Sequence, residues 1–338
     1  MMQDVIASLL AGVDLSPDKA KAVMQYIMDG NATDAQIGSF LTALHIKGES
    51  IEEISAFAEV MRDHAILIHP GSCGMRVDTC GTGGDGKKTF NISTAAAFVT
   101  AAAGVCVVKH GNRSASGSCG SADLLEALGV RIDISPTRVT EIVEDIGIGF
   151  LFAQVHHPAM RHVAAARREI GFRSVFNILG PLSNPAFATA QLLGVYSPSL
   201  CVPLAHVLSA LGVQQAMVVH GDGLDEMTIT GKTVVAELNN RTVTSYELDC
   251  REYGFSYADG KTLRGGDPAT NAAIIKSVFS GKPGPQQDIV ALNAGAAIYL
   301  GGGSPNISAG IQRALLMIQT GAVEEKLDQL IQATGQAS

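Results

Sequence analysis

Gly81, Gly83, Gly84 and Gly86 fall within six consecutive positions of the stretch VDTCGTGGDGKKTFNISTAAAFV, between an apolar run and an alanine-rich one. Glycine tolerates positive φ and lets the backbone approach a ligand closely, so consecutive N–H groups in such a loop can line a concave anion nest. A helix beginning directly behind it, over about Ser93 to Ala103, adds unpaired amides and the positive end of its dipole. Phosphate is the anion this arrangement fits. Asn91, Ser93 and Thr94 supply side-chain donors at the helix start, although the same residue types also cap helices behind a tight turn. GTGGDG matches neither GxGxxG nor a P-loop, so neither standard nucleotide fingerprint applies.

A second apolar run, VCVV, ends in Lys109, His110, Gly111, Asn112 and Arg113, and a hydroxyl-rich loop containing Ser116 then leads to GSAD at Ser121. If the two strands are parallel neighbours, as βαβ units favour, their donor-bearing ends lie side by side and hold more than one phosphate. Asp85 repels an anion unless it accepts from sugar hydroxyls or a metal's water, which points to a phosphorylated sugar. A third strand, AMVVHG, runs into HGDGLDE with Asp222, Asp225 and Glu226. Clustered oxygen ligands at a strand's carboxyl end suit Mg2+ shared with substrate phosphates, and a solvated acidic turn is the other reading. The stretch after Pro158 carries Arg161, His162, Arg167 and Arg168 among small residues, with Arg167 on the side of Ala164 and Gly171. The doubled arginine leaves Arg167 and Arg168 as alternatives, and a solvated basic face as a third. His156 and His157 make no i, i+4 pair with His162, which argues against zinc.

These stretches, together with HHPAMRHVAAARREIGFRSVFNILGPLSNPA and VVHGDGLDEMT, resemble the anthranilate phosphoribosyltransferase family over about residues 75 to 230. The resemblance implies transfer of the phosphoribosyl group of 5-phosphoribosyl 1-diphosphate to the amine of anthranilate, with Mg2+. Carried over position by position, it implies diphosphate-substrate contacts at Gly81, Gly84, Asp85, Thr89, Asn91, Ile92, Ser93, Thr94, Lys109, His110, Gly111, Asn112, Arg113, Ser116, Gly117 and Ser121. Anthranilate contacts are implied at Gly81, Asn112 and Arg167, and metal ligands at Ser93, Asp225 and Glu226. No acid or base is assigned. An aryl ammonium product loses its proton readily, and His110 is the local candidate if a base is needed. Two positions depart from the family's serines, Gly117 and Cys119, where hydroxyl donors are missing. A pyrimidine-nucleoside phosphorylase on a similar fold is the alternative enzyme, set against KHGNR, GSAD and the paired acids. A noncatalytic binding module on the same fold predicts a basic surface and eroded Asp225 and Glu226.

The elements that must position these residues follow from patterning. Ser16 with Pro17, Thr33 with Gln36, and Ser50 with Glu53 each open an apolar stripe of helical spacing, so residues 1–70 read as a small α-helical domain. By resemblance it is completed by a helical segment near 158–185 and forms homodimers; a plain helical layer is the alternative. From Val77, strand-length runs (VRIDI, IGFLFA, LLGVY, AMVVHG) alternate with helices at Pro136–Asp145, Pro158–Glu169 and Pro198–Leu211. Residues 71–338 therefore read as an α/β domain with a mainly parallel sheet, of the nucleoside phosphorylase and phosphoribosyltransferase type by resemblance. TVVAEL and TVTSYEL form an antiparallel excursion about NNR, and helices return after Asp267. Among 338 residues a 46% apolar share is ample for a core. A net charge of −8 with no basic run argues against nucleic-acid or anionic-membrane partners. MMQDVIASLL lacks a signal peptide's basic start and apolar core, so a soluble cytoplasmic protein is expected. The chain starts on its helical unit, so no fused amidotransferase is expected. Association with an anthranilate synthase subunit is carried only by the resemblance. Six cysteines without a CxxC spacing are expected to be reduced thiols.

Overall fold

The computed structural model describes residues 1–71, 73–114 and 119–335. Its first unit is helical: α1 (Met2–Leu10), α2 (Pro17–Met28), α3 (Asp34–Lys47) and α4 (Ile51–Asp63). The start signals do what their chemistry allows. Ser16 caps α2 ahead of Pro17, and Thr33–Gln36 and Ser50–Glu53 both close as capping boxes, which satisfies amides that a helix cannot pair internally. Glu53 goes further. Its fully buried carboxylate accepts from Leu15 N at 2.9 Å and from Lys47 Nζ at 2.8 Å, joining the α1–α2 link, the end of α3 and α4. Phe40 and Phe57 meet edge to face inside the bundle, 5.9 Å between centroids.

The chain then runs β1 (Arg76–Gly81), α5 (Ile92–Ala102), β2 (Cys106–Gly111), α6 (Ser121–Ala127), α7 (Pro136–Ile146) and β3 (Ile148–Phe152). Three short helices follow, α8 (Ala153–His156), α9 (Ala164–Ile170) and α10 (Phe176–Leu182), then β4 (Ala190–Gly194), α11 (Cys201–Ala210) and β5 (Gln215–Gly221). β6 (Lys232–Asn239) and β7 (Thr242–Asp249) precede α12 (Pro268–Phe279), α13 (Pro285–Leu300), α14 (Ile307–Gln319) and α15 (Ala322–Gly335). The strands form one seven-stranded sheet in the order β3-β2-β1-β4-β5-β6-β7. The first five are parallel and the last two antiparallel, joined through Asn240 and Arg241 at φ 46° and 74°, the left-handed pair that a tight hairpin requires.

Each face of the sheet has its own core. Val77, Val107, Leu192 and Met217 pack under α5, α12, α13, α14 and α15, whereas Leu193, Val195 and Val218 continue into the apolar interior of the helical unit. Helices α9 and α10 lie against α3 and α4, so the segment after β3 packs with the N-terminal helices. Arg62 of α4 fastens this contact by donating to Leu182 O at 2.9 Å and Leu211 O at 3.0 Å, the carbonyl ends of α10 and α11. Cations suit those negative dipole ends.

Four expectations change. VRIDI is not a strand: Val130 and Ile132 are buried and Arg131 N donates to Thr334 Oγ1 at 3.2 Å, so its alternation records burial against α15. The Pro158–Glu169 helix is broken into a 3-10 turn, Pro158–His162, and α9, with Val163 between them at φ −110°. The Pro198 helix likewise opens as a 3-10 turn before α11. Cys73 and Cys106 are joined in a disulfide, Cα atoms 6.1 Å apart, while Cys80, Cys119, Cys201 and Cys250 are free. Only the fold brings the segment before β1 beside the first residue of β2, which is why spacing gave no sign of the pair.

Candidate active site

Strand order reverses at β1, which has β2 on one side and β4 on the other, and the carboxyl ends of β1, β2, β4 and β5 open on one edge of the sheet. Ligands of open α/β sheets bind at such a switch point. Gly81 closes β1, and Gly83, Gly84 and Gly86 follow at φ 68°, 78° and 76°, a left-handed series that glycine adopts without a Cβ clash. The loop lies on the acidic turn after β5: Gly83 N donates to Asp225 Oδ2 at 2.7 Å, and a Cβ on Gly81 or Gly194 would collide with Asp225. Glu226 Oε1 accepts from Ser93 N at 3.1 Å in the first turn of α5. The turn carrying Asp225 and Glu226 thus meets both the glycine loop and the start of α5 at Ser93.

Lys109, buried in β2, extends under the same loop, donating to Thr79 O and lying 3.4 Å from Ser93 Oγ. Burial pulls its pKa down, and the nearby Asp78 opposes that shift. Burial also raises the two acids. Asp225 is pushed up to about 6, with Asp85 adding to the effect, and Glu226 is raised further by burial and by Asp225. Packed acids with raised proton affinity are those a cation would relieve. Among the described residues no three His, Cys, Asp or Glu side chains form a closed metal site. Two carboxylates and a hydroxyl facing an anion loop fit Mg2+, which takes its other ligands from phosphates and water.

Several buried polar atoms have no hydrogen-bond partner among the described residues, including Asp85 Oδ2 in the glycine loop, Asn91 Oδ1 and Thr94 Oγ1 at the start of α5, and His110 Nε2 on the opposite face of the sheet, toward His157. Buried polar groups are normally paired, so the two beside the glycine loop, Asp85 Oδ2 and Asn91 Oδ1, mark a place for a polar ligand. Asn91 does not cap α5; its Nδ2 donates to Cys119 O at 3.3 Å. Ile92 is core, Thr89 bridges to Arg264, and Ser121 Oγ donates to Asn112 O at 3.3 Å beside Gly111. Arg113 is engaged with the acids of α6, 3.0 Å from Asp123 and 2.5 Å from Glu126, and lies over Phe152. Ser116 and Gly117 lie outside the described residues.

On the helical side, Arg167 is half-buried with its guanidinium 5.3 Å from the Phe176 ring and no acidic partner among the described residues, while Arg168 is exposed. Burial lowers the Arg167 pKa. His110 and His157 stand 5.0 Å apart between the two units, and burial holds both imidazoles neutral, His157 down to about 4.

Three residues that motif reading passed over belong to this site. Asp78 in β1 accepts from His110 N at 3.2 Å and Asn184 Nδ2 at 2.8 Å, which sets the end of β2. Arg173 donates to Gly84 O and stacks 4.5 Å over Tyr196. An acid inside the apolar run VDTCG was the available signal for Asp78; Arg173 and Tyr196 carried none.

Comparison with known proteins agrees with this geometry. Residues 74–324 match the family model described as glycosyl transferase family, a/b domain, and residues 3–65 its helical bundle domain. The chain is 59% identical over 335 residues to an anthranilate phosphoribosyltransferase of Methanocorpusculum labreanum, covering 99% of this chain and 98% of that one. A crystal structure of anthranilate phosphoribosyltransferase from Thermus thermophilus superposes with a TM-score of 0.94 at 42% identity, covering 98% of this chain and 100% of that one. The Saccharomyces cerevisiae enzyme in complex with PRPP and Mg superposes at 0.90 and 28% identity, over 98% and 97%.

Proposed function

This chain belongs to the anthranilate phosphoribosyltransferase family, and from that premise we propose which of its residues do the work. It transfers the phosphoribosyl group of 5-phosphoribosyl 1-diphosphate to the amine of anthranilate, giving N-(5-phosphoribosyl)anthranilate and diphosphate in tryptophan biosynthesis. Near-full-length similarity to named transferases supports this over the phosphorylase and the binding module.

The left-handed glycine loop after β1, seated against Asp225 with Glu226 at the start of α5, carries the site assignment. The glycine loop, Asn91, Ser93, Thr94 and Lys109 hold the phosphates of the diphosphate substrate, and Asp85 takes its hydroxyl or water donors. Mg2+, the family's cofactor, offsets charge on the departing diphosphate, with Ser93, Asp225 and Glu226 as its protein ligands. Arg167 presents a planar fork to the anthranilate carboxylate, supported by a half-buried guanidinium over Phe176 that has no acidic partner among the described residues, and Asn112 and Gly81 complete that subsite. Rate comes from holding amine and C1 in line and from electrostatic support of the leaving group, with no covalent nucleophile. Ser121, Thr89, Ile92, His110, Gly111, Asn112, Arg113, Ser116 and Gly117 stay in the proposed phosphoribosyl contact set.

We also place the helical domain at residues 1–70, completed by 158–185, with 71–338 as the catalytic domain. A homodimer through the helical domain and a cytoplasmic setting belong to the same reading. Association with an anthranilate synthase subunit is proposed on the resemblance alone, and co-elution tests it. The main test mixes protein, anthranilate, phosphoribosyl diphosphate and Mg2+ and follows the loss of anthranilate fluorescence, unobscured because the chain has no tryptophan. Decay that stops on adding EDTA supports the reading. Phosphate-dependent cleavage of thymidine or uridine without that decay would overturn it.

A further inference from the structure

β5 ends at His220–Gly221, and the chain must reverse at once to set Asp225 and Glu226 over the ends of β1 and β4. The reversal uses Asp222 and Gly223, both left-handed at φ 52° and 85°, and Asp222 pays for a conformation that side chains disfavour. Thr230 Oγ1 donates to Asp222 Oδ2 at 2.9 Å, and Gly221 and Leu224 exchange two backbone hydrogen bonds of 3.0 Å. The His220 ring adds a link from this turn to the strand end beside it. Nδ1 lies 2.8 Å from Val195 O, and Gly223 N donates to Nε2 at 3.2 Å. A carbonyl only accepts and a backbone N–H only donates, so the hydrogen-bond network assigns the neutral ring with its proton on Nδ1. Val195 directly follows Gly194, the residue against which the Asp225 backbone is seated without room for a Cβ. One side chain thereby connects the apex of the acidic turn to the strand that the turn leans on.

We infer that His220 is a positioning residue for the Mg2+-holding turn, fixing where Asp225 and Glu226 present their oxygens; this rests on the metal ligands proposed above. It touches no reacting atom. Its effect reaches the cation through Gly223 on one side and Val195 on the other, as groups behind metal ligands commonly act.

The test uses the full chain with phosphoribosyl diphosphate and Mn2+ as a paramagnetic substitute for Mg2+, reading free Mn2+ by electron paramagnetic resonance. His220→Phe keeps a ring and removes both hydrogen bonds, and it should weaken Mn2+ binding about tenfold, at the low end for such supporting groups. His220→Gln, whose Oε1 can accept from Gly223 N, should recover most of that loss, which a merely space-filling ring would not explain. Should the Phe variant fail to fold by circular dichroism, His220→Asn carries the same comparison, because its shorter carboxamide keeps a donor at the Nδ1 position for Val195 O and does not extend to the Nε2 position that accepts from Gly223 N. Unchanged Mn2+ binding in the folded His220 variants, alongside loss in Asp225→Asn, would overturn the inference. Unchanged binding in both Asp225→Asn and Glu226→Gln would instead overturn the metal assignment beneath it.

Discussion

Arg167 and Arg168 are adjacent and chemically identical, yet one is half-buried over Phe176 and the other is exposed. A half-buried guanidinium with no carboxylate partner among the described residues gains most from a ligand carboxylate, since charge-assisted bonds in sheltered sites are the strong ones. Arg167→Ala should therefore lower kcat/KM for anthranilate by about 1.5–3 kcal/mol, roughly ten- to a hundredfold. KM for phosphoribosyl diphosphate should stay near its original value, and Arg168→Ala should leave both constants unchanged in the fluorescence assay. Equal effects at the two positions would move the anthranilate subsite elsewhere. Arg173 acts at a different point: its bond to Gly84 O and its stacking on Tyr196 hold the glycine loop from the helical side. Arg173→Met should raise KM for phosphoribosyl diphosphate several-fold, about 1 kcal/mol for one lost hydrogen bond, and leave KM for anthranilate little changed.

The helices of the N-terminal unit are joined by polar contacts whose loss can be measured. Glu53 pairs with Lys47, whose side chain is 5% exposed, and also caps Ser50 N and accepts from Leu15 N. Glu53→Ala leaves two amides without partners while Lys47 keeps Asp14, so urea unfolding should show a loss of about 2 kcal/mol, as for buried donors left unsatisfied. A smaller contact gives a pH signature. Burial acts to lower His64, but Asp29 at 3.0 Å and the Val60 carbonyl outweigh it and raise the imidazole above its usual value. Hydrogen bonding from His64 in turn holds Asp29 below its usual range. A raised histidine stabilises the fold below its unfolded value and loses that contribution as pH climbs through the folded one; a lowered acid loses its own as pH falls. The contact thus works between the two titrations. Asp29→Asn should lower Tm relative to the parent protein at about pH 5.5 and match it at about pH 8.5, following the ordinary carboxylate and imidazole ranges. A gap that persists unchanged at the higher pH would exclude the charge pair as its source.

At the scale of the whole molecule, the helical unit shows apolar side chains that its own bundle leaves uncovered: Leu10 is 67%, Val13 54% and Ile46 73% exposed. The Asp14–Lys47 ion pair brings Val13 and Ile46 near each other, so these residues share a region of surface. Grouped exposed apolar side chains are typical of an interface. If the proposed homodimer forms through this region, the parent protein should sediment as a dimer and Ile46→Arg as a monomer in sedimentation velocity; a monomeric parent protein would remove the basis for the homodimer.

Capping boxes, apolar periodicity and the glycine series act within a few residues, so most helix starts, most of the strands and the glycine loop were legible in order along the chain. The same locality misled at VRIDI, where burial against α15 imitates strand alternation. Only the tertiary structure decided which distant groups meet. Gly83 reaches Asp225 across 142 residues and Ser93 reaches Glu226 across 133, both because β1 and β5 stand on either side of β4. It also engaged Arg113 with Asp123 and Glu126, separated Arg167 from Arg168, and paired Cys73 with Cys106. Residue types state what each group can bond. Strand order and packing select among many chemically equivalent partners, and no short stretch of sequence carries that choice.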